Sequence, residues 1–245
     1  MKNSRLDIPT VLLRGKISNL QRTRRSHDFV LTQAQQWQVG ATAVGAAALN
    51  MGAAGIGLLN MAANSDEEAD WVRFEVDGKE IEGWLWMMPM RNNDNVEVVA
   101  QQVGENRYVA YSVMRKSDNL LAVYPHATAG RKAHYKNIMR MMFLTFFIVY
   151  PISIVAFYIA GNGFGGDPIG FFSDMALYGG AAFIMVFIIF YRVARKLMNF
   201  AYMAEAIFRA YGWPDAENID LRKTSRENRR ENKLPNYGNF YFRYK

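Results

Sequence analysis

Few residues in this chain are of a type, or at a spacing, that could do chemistry. Gly161-Asn162-Gly163-Phe164-Gly165-Gly166 fits the G-x-G-x-x-G spelling of a dinucleotide-binding loop. Such a loop holds a pyrophosphate only when it leaves a β-strand and opens a helix, so that backbone N–H groups and the helix dipole converge on the anion. Here it follows a long uncharged run, and its context predicts a flexible connection instead. The three histidines are His27, His126 and His134. His126 and His134 bracket Arg131 and Lys132, with Lys136 beyond, yet no carboxylate or nucleophile nearby completes an acid–base pair. Their setting suits residues beside lipid headgroups. The chain has no cysteine, which excludes disulfides, zinc–thiolate sites, iron–sulfur clusters and thiol nucleophiles. No Walker A, H-E-x-x-H, G-x-S-x-G or EF-hand spacing occurs. The residues therefore predict no enzyme, no cofactor and no metal site.

What must be positioned is a pair of apolar segments. The 245 residues are 51% hydrophobic and 21% charged, with a formal charge of +7, a balance that excludes a disordered polyelectrolyte. The mean hydropathy of −0.12 hides strong segregation. Met141 to Ala160 reads MMFLTFFIVYPISIVAFYIA, without one charged residue or histidine. At a rise of about 1.5 Å per residue it is roughly 30 Å long, the thickness of a bilayer's hydrocarbon core. Met175 to Tyr191 (MALYGGAAFIMVFIIFY) repeats the pattern after the apolar run Ile169 to Phe172. A core helix of a soluble protein is usually shorter and keeps a polar face, so the sequence predicts a transmembrane hairpin with spans 138–161 and 175–195 around a loop at 162–174. Pro151 is tolerated in such a span if Thr145 or Ser153 satisfies the freed carbonyl.

Arg131, Lys132, Lys136 and Arg140 precede the first span, and Arg192, Arg195 and Lys196 follow the second, while the loop contains two aspartates and no Lys or Arg. These seven cations are the expected headgroup contacts, and the positive-inside rule places both termini in the cytoplasm. Tyr158, Tyr178 and Tyr191 suit an interfacial aromatic belt, whereas Tyr150 sits mid-span. The absence of Asp, Glu, Lys, Arg and His from Met141 to Ala160 and from Met175 to Tyr191 argues against a proton relay or charged ion path. It leaves open an oligomeric pore lined by Ser, Thr and Asn. Basic residues such as Arg229 and Arg230 could neutralise nucleic-acid phosphates, but beside two spans anionic lipid accounts for the same charges, and no nucleic-acid partner is expected.

The Gly/Ala-rich stretch 40–65 is uncharged through Asn64 and long enough to span. Its glycines and asparagines make insertion marginal, and a third span would carry a basic terminus across the membrane. A peripheral or re-entrant helix is the favoured reading, with spanning as the alternative. The opening MKNSRLDIPT lacks an apolar h-region, so no cleavable signal peptide is expected. Within residues 66–130 the pattern changes to period two from Trp71. Asp77-Gly78 marks a hairpin, and five short strands predict a small antiparallel β domain of the OB or SH3-like kind in the cytoplasm. Residues 1–39 add a β segment, read as two strands at Thr10 to Leu20 and His27 to Thr32 around Arg22, Arg24 and Arg25. In 196–245, an apolar stripe including Phe200, Ala204, Ile207 and Phe208 predicts an amphipathic helix continuing from the second span to Gly212-Trp213-Pro214. A basic tail follows, whose aromatic end is expected to dock on the β domain. The fold class is thus an α+β membrane protein.

Several segments carry a resemblance: Asp66 to Val76 (DEEADWVRFEV), Gly83-Trp84-Leu85-Trp86, Asn95 to Ala100 (NVEVVA), Leu121 to His126 (LAVYPH) and Gly238 to Tyr244 (GNFYFRY). With the Gly/Ala-rich stretch and the two spans, nearly the whole chain resembles the bacterial membrane proteins classed as type VI secretion system effectors. The resemblance implies a Gram-negative inner-membrane protein used in interbacterial competition, and it brings no catalytic residues. Two roles are compatible with it. One is a membrane-inserting, pore-forming or depolarising effector. The other, slightly preferred, is a resident immunity or adaptor protein whose β domain binds a cognate toxin or a secretion component. A secreted protein with such apolar spans would need a chaperone, whereas a resident one inserts during synthesis.

Overall fold

A computed structural model of the chain describes residues 9–26, 68–162, 167–232 and 240–244. The expected strand at His27 to Thr32 and the stretch 40–65 lie outside the described residues. The chain forms two compact units, residues 1–131 with 199–245, and residues 132–198.

The first unit is built on β1 (Val11–Ser26), β2 (Glu68–Val76), β3 (Lys79–Leu85), β4 (Asn95–Gln102), β5 (Arg107–Arg115), β6 (Leu120–Val123) and β7 (Phe242–Arg243). β1 serves two neighbours in turn. Its first part, Val11–Lys16, pairs antiparallel with Asn95–Ala100 of β4, and from Ile17 onward it pairs antiparallel with β2. The register shifts between Ser18 and Gln21, where Asn19 takes a φ of 53°. A bulge of this kind adds the local bend and twist that a closing sheet requires. β2 and β3 are joined by Asp77-Gly78, both at positive φ (50° and 78°), as a type I′ hairpin turn demands. β5 divides one edge between two partners. Residues 107–109 run parallel to 80–82 of β3, and residues 112–115 pair with β6. The ring β3-β2-β1-β4-β5 is thereby a small five-stranded barrel, extended by β6 and β7. The domain is therefore not wholly antiparallel, because closure needs the parallel β3–β5 pair. Gly83 permits that closure: a Cβ there would lie 2.6 Å from the carbonyl oxygen of Ala110 on β5.

Val72, Phe74, Ile81, Leu85, Val96 and Val98 belong to the apolar cluster of the barrel. A second cluster joins Val99, Met114, Leu121 and Val123 to Met203, Ala204, Ile207 and Phe208 of the helix Met198–Ala210. β4 therefore contributes to both cores, Val98 to one and Val99 to the other, which explains why its sequence shows little alternation.

Three sequence expectations are corrected in this unit. The basic cluster Arg22, Arg24 and Arg25 does not follow the end of a strand at Leu20, because β1 runs on to Ser26. It lies within β1 at exposed positions, and Arg24 bonds Glu68 at 2.8 Å and Asp70 at 3.3 Å. The helix leaving the second span is not continuous, because Leu197 caps it and a separate helix starts at Met198. The basic tail contains a further helix, Leu221–Asn232, whose Arg222 and Lys223 N–H groups, in its first turn, donate to Asp220 Oδ1. That is an N-cap on a helix too polar for periodicity to reveal.

The aromatic C-terminal end docks through β7. Phe242 is buried in the second core, and Phe242 and Arg243 pair with Leu121 and Leu120. An ion cluster holds the same corner. Asp118 accepts from Arg115 Nε and Nη2, both at 2.9 Å, and from Arg243 Nη2 at 3.2 Å. The Arg115 hydrogen bonds hold the Asp118 carboxyl below its ordinary range, against partial burial, with help from the Leu120 N–H. A carboxylate depressed in the folded state contributes stability above its unfolded value near 3.9 and loses it as pH falls through the lower folded value. Asp118→Asn should therefore lower the urea midpoint of the purified protein at neutral pH, and the difference from wild type should shrink as pH falls below about 4. A difference that persists unchanged in acid would show that the charge is not responsible.

Candidate membrane interface

In the order of the chain the helices are α1 (Arg131–Asn162), α2 (Pro168–Lys196), α3 (Met198–Ala210) and α4 (Leu221–Asn232). Asp167 caps α2, accepting from the N–H groups of Ile169 and Gly170, with Pro168 in the first turn, where its missing N–H is not needed.

α1 and α2 are long and apolar enough to cross a membrane. Within unit 132–198 they pack as an antiparallel hairpin. His134 Nε2 lies 3.2 Å from the Ala194 carbonyl oxygen. Phe143 and Phe146 meet Phe183 at ring distances of 6.0 and 5.0 Å. Tyr158 meets Phe171 and Phe172 at 5.2 and 5.5 Å. Tyr150, out of place for an interfacial belt, is explained here. Its hydroxyl donates to the Met175 carbonyl at 2.6 Å, and its ring approaches Gly179 so closely that a Cβ there would lie 2.8 Å from the hydroxyl oxygen. Ser153 does not serve the carbonyl freed by Pro151. That carbonyl is the one at Phe147, four residues back, whereas the Ser153 hydroxyl donates to Val149 at 2.8 Å.

Only 6% of the most apolar stretch of either helix is buried within the protein. Phe157 is 73% exposed and Leu177 is 77% exposed. The core helix of a soluble protein would bury such residues. Charge is equally polarised. Between residues 132 and 198 the cations are Lys132, Lys136, Arg140, Arg192, Arg195 and Lys196, all at the open end of the hairpin, and the acids are Asp167 and Asp174, at the loop end. All six cations are exposed, and Lys132, Lys136 and Arg140 recur at four-residue spacing along one stripe of α1. Tyr178 and Tyr191 are exposed too.

Arg131, the seventh predicted headgroup residue, is engaged elsewhere. Its backbone N–H and Nε donate to Glu205 Oε1 at 2.9 and 2.8 Å, and its Nη2 donates to Glu217 at 2.8 Å. Arg209 donates to the other Glu205 oxygen at 2.8 Å. The Glu205 side chain is 1% exposed, and a buried carboxylate is tolerable only when its acceptor sites are satisfied in this way. Glu205 also occupies a donor that the first turn of α1 would otherwise leave open. The chain is tight here, since a Cβ on Gly130 would collide with the carbonyl oxygens of Ala216 and Glu217. Of this network, sequence spacing shows only the Glu205–Arg209 pair, four residues apart on one helix.

The histidines do not converge. His126, at a φ of 66°, has its ring 5.3 Å from that of Trp86 and 5.1 Å from that of Phe200, an aromatic cluster rather than a headgroup contact. Among the described residues no group of His, Cys, Asp and Glu is arranged to hold a metal ion. Gly163 to Gly166 of the G-x-G-x-x-G run lie outside the described residues. Comparison with protein families, with curated proteins and with solved structures finds no match to this chain.

Phe147 and Ile188 are 63% and 48% exposed on the two helices. Replacing either with Arg should oppose insertion by about 2.5–3.5 kcal/mol and reduce the fraction of protein recovered with membranes after carbonate washing. Full retention of both variants would show that these side chains do not face lipid.

Proposed function

We propose that this chain is a resident protein of a bacterial inner membrane, with the α1–α2 hairpin in lipid and both termini in the cytoplasm. In this reading it serves a type VI secretion system in interbacterial competition, as an immunity or adaptor protein whose barrel binds a cognate toxin or a secretion component. The observation that carries the membrane half is the hairpin itself, apolar, exposed along its length and cationic at one end only. An effector in transit would have to keep that surface out of water, whereas a resident protein inserts as it is made.

The barrel's topology supports an OB-like reading. Five strands close in the order β3-β2-β1-β4-β5 with β3 and β5 parallel. On β2 and β3, Trp71 and Trp84 stand opposite each other and contact edge to face at 5.1 Å. The same two strands carry Arg73 bonded to Glu80, and Glu82 bonded to Arg107 of β5. Half-buried aromatics beside mixed charges suit a protein partner. The carboxylates argue against a phosphate backbone. The type VI assignment rests on the sequence resemblance, and a homo-oligomer is compatible with this reading.

Reporter fusions at Lys245 and within 162–174 should report cytoplasm and periplasm respectively, and a periplasmic C-terminus would overturn the topology. Expressed alone, the protein should leave membrane potential and growth unchanged, and it should protect cells from the toxin encoded beside it. Depolarisation on expression would instead favour the membrane-inserting effector.

A further inference from the structure

α4 has no part in the reading above, and its two sides differ sharply. Leu221 is buried, and Thr224, Ser225 and Asn228 are half-buried on the same side. Ser225 Oγ accepts from the Arg243 N–H at 2.9 Å, so this side of the helix is tied to β7. At about 100° per residue, the opposite side gathers Arg222, Lys223, Arg226, Arg229 and Arg230 into one arc roughly 120° wide, and Glu227 and Glu231 fall outside it. Arg222, Lys223, Arg226 and Arg230 are exposed. The Arg222 guanidinium stands 5.5 Å over the Trp86 ring, and Lys223 reaches Glu227 at only 3.8 Å. Among the described residues no carboxylate pairs with Arg222, Arg226, Arg229 or Arg230.

Like charges crowded on one helical face repel one another. A folded helix that keeps them together, with its acids set aside, presents a surface complementary to closely spaced negative charge. We propose that the cationic arc of α4 docks on the anionic phospholipid headgroups of the bilayer that holds the hairpin, as a second and reversible membrane contact. The inference rests on the membrane residence proposed above. An anchored chain meets headgroups at high effective concentration, which favours lipid over a diffusing polyanion.

The absence of cysteine from the chain makes a single thiol a clean reporter. Full-length protein carrying Glu227→Cys with an environment-sensitive dye would be placed in nanodiscs of phosphatidylcholine alone, or of phosphatidylcholine with phosphatidylglycerol, each containing a headgroup-linked quencher. The docked arc predicts quenching in the anionic discs only, reversed by high salt. Adding Arg222→Glu, Arg226→Glu and Arg230→Glu should lower the docked-to-undocked ratio on the order of a hundredfold while leaving the protein in the discs. Arg226→Gln with Arg230→Gln, which spares the Arg222–Trp86 contact, should produce a smaller loss in the same direction. Equal quenching in both lipids, no quenching in either, or protection of the dye by an added oligonucleotide or acidic protein in preference to lipid would overturn the proposal. Failure of the hairpin to enter the discs at all is a separate readout, and it would overturn the membrane reading instead.

Discussion

The structure is governed by the free energy of putting α1 and α2 in water. Twenty of the 23 large apolar side chains exposed among the described residues lie between 132 and 198. Fully burying one such side chain is worth about 1.5–3 kcal/mol. Even half of that, summed over the hairpin, is of the order of 20 kcal/mol, which exceeds the roughly 5–15 kcal/mol by which a typical domain is stable. A hairpin that the chain leaves this bare must be covered by something else. The lack of ionisable side chains along the lipid-length part of each helix, with cations at one end and acids at the other, fits a bilayer as that cover.

The β unit solves a different problem, how to close a sheet from few and short strands. β1 changes partners midway, with a register shift that accompanies the change, and β5 divides its edge between β3 and β6. Gly83 lets β3 and β5 approach at the seam. The second core then uses α3 to cover strands already packed on their other side, so β6 and residues 96–100 of β4 are buried. A buried and a half-buried carboxylate follow the same economy. The Glu205 carboxylate takes N–H donors from Arg131 and Arg209, and Asp118 takes them from Arg115 and Arg243, so each joins segments distant in sequence without leaving a charge unpaired.

Much of this was legible in the sequence wherever a period or a run carries the signal. The two long apolar helices follow from uncharged length, β2 and β3 from alternation and Asp77-Gly78, and α3 from the stripe through Phe200, Ala204, Ile207 and Phe208. What escaped has identifiable causes. β1 reads as ending at Leu20 because a basic cluster resembles a break, although charges on an exposed face need not interrupt a strand. α4 has no apolar stripe, and its one clear signal, Asp220 at the N-cap, is short-range. The parallel β3–β5 pair, the role of Tyr150 within the hairpin and the commitment of Arg131 to Glu205 and Glu217 are tertiary facts, set by which surfaces meet after folding. Of the predicted headgroup residues, six remain exposed on the two apolar helices, and the one taken up by carboxylates belongs to the β unit.

The membrane account is tested most directly by sedimentation of the intact chain, prepared without detergent or chaperone. The account predicts that the protein stays with the lipid fraction and, once stripped of lipid, forms polydisperse aggregates. A single sharp boundary at the mass of one 28.0 kDa chain in plain buffer would contradict it.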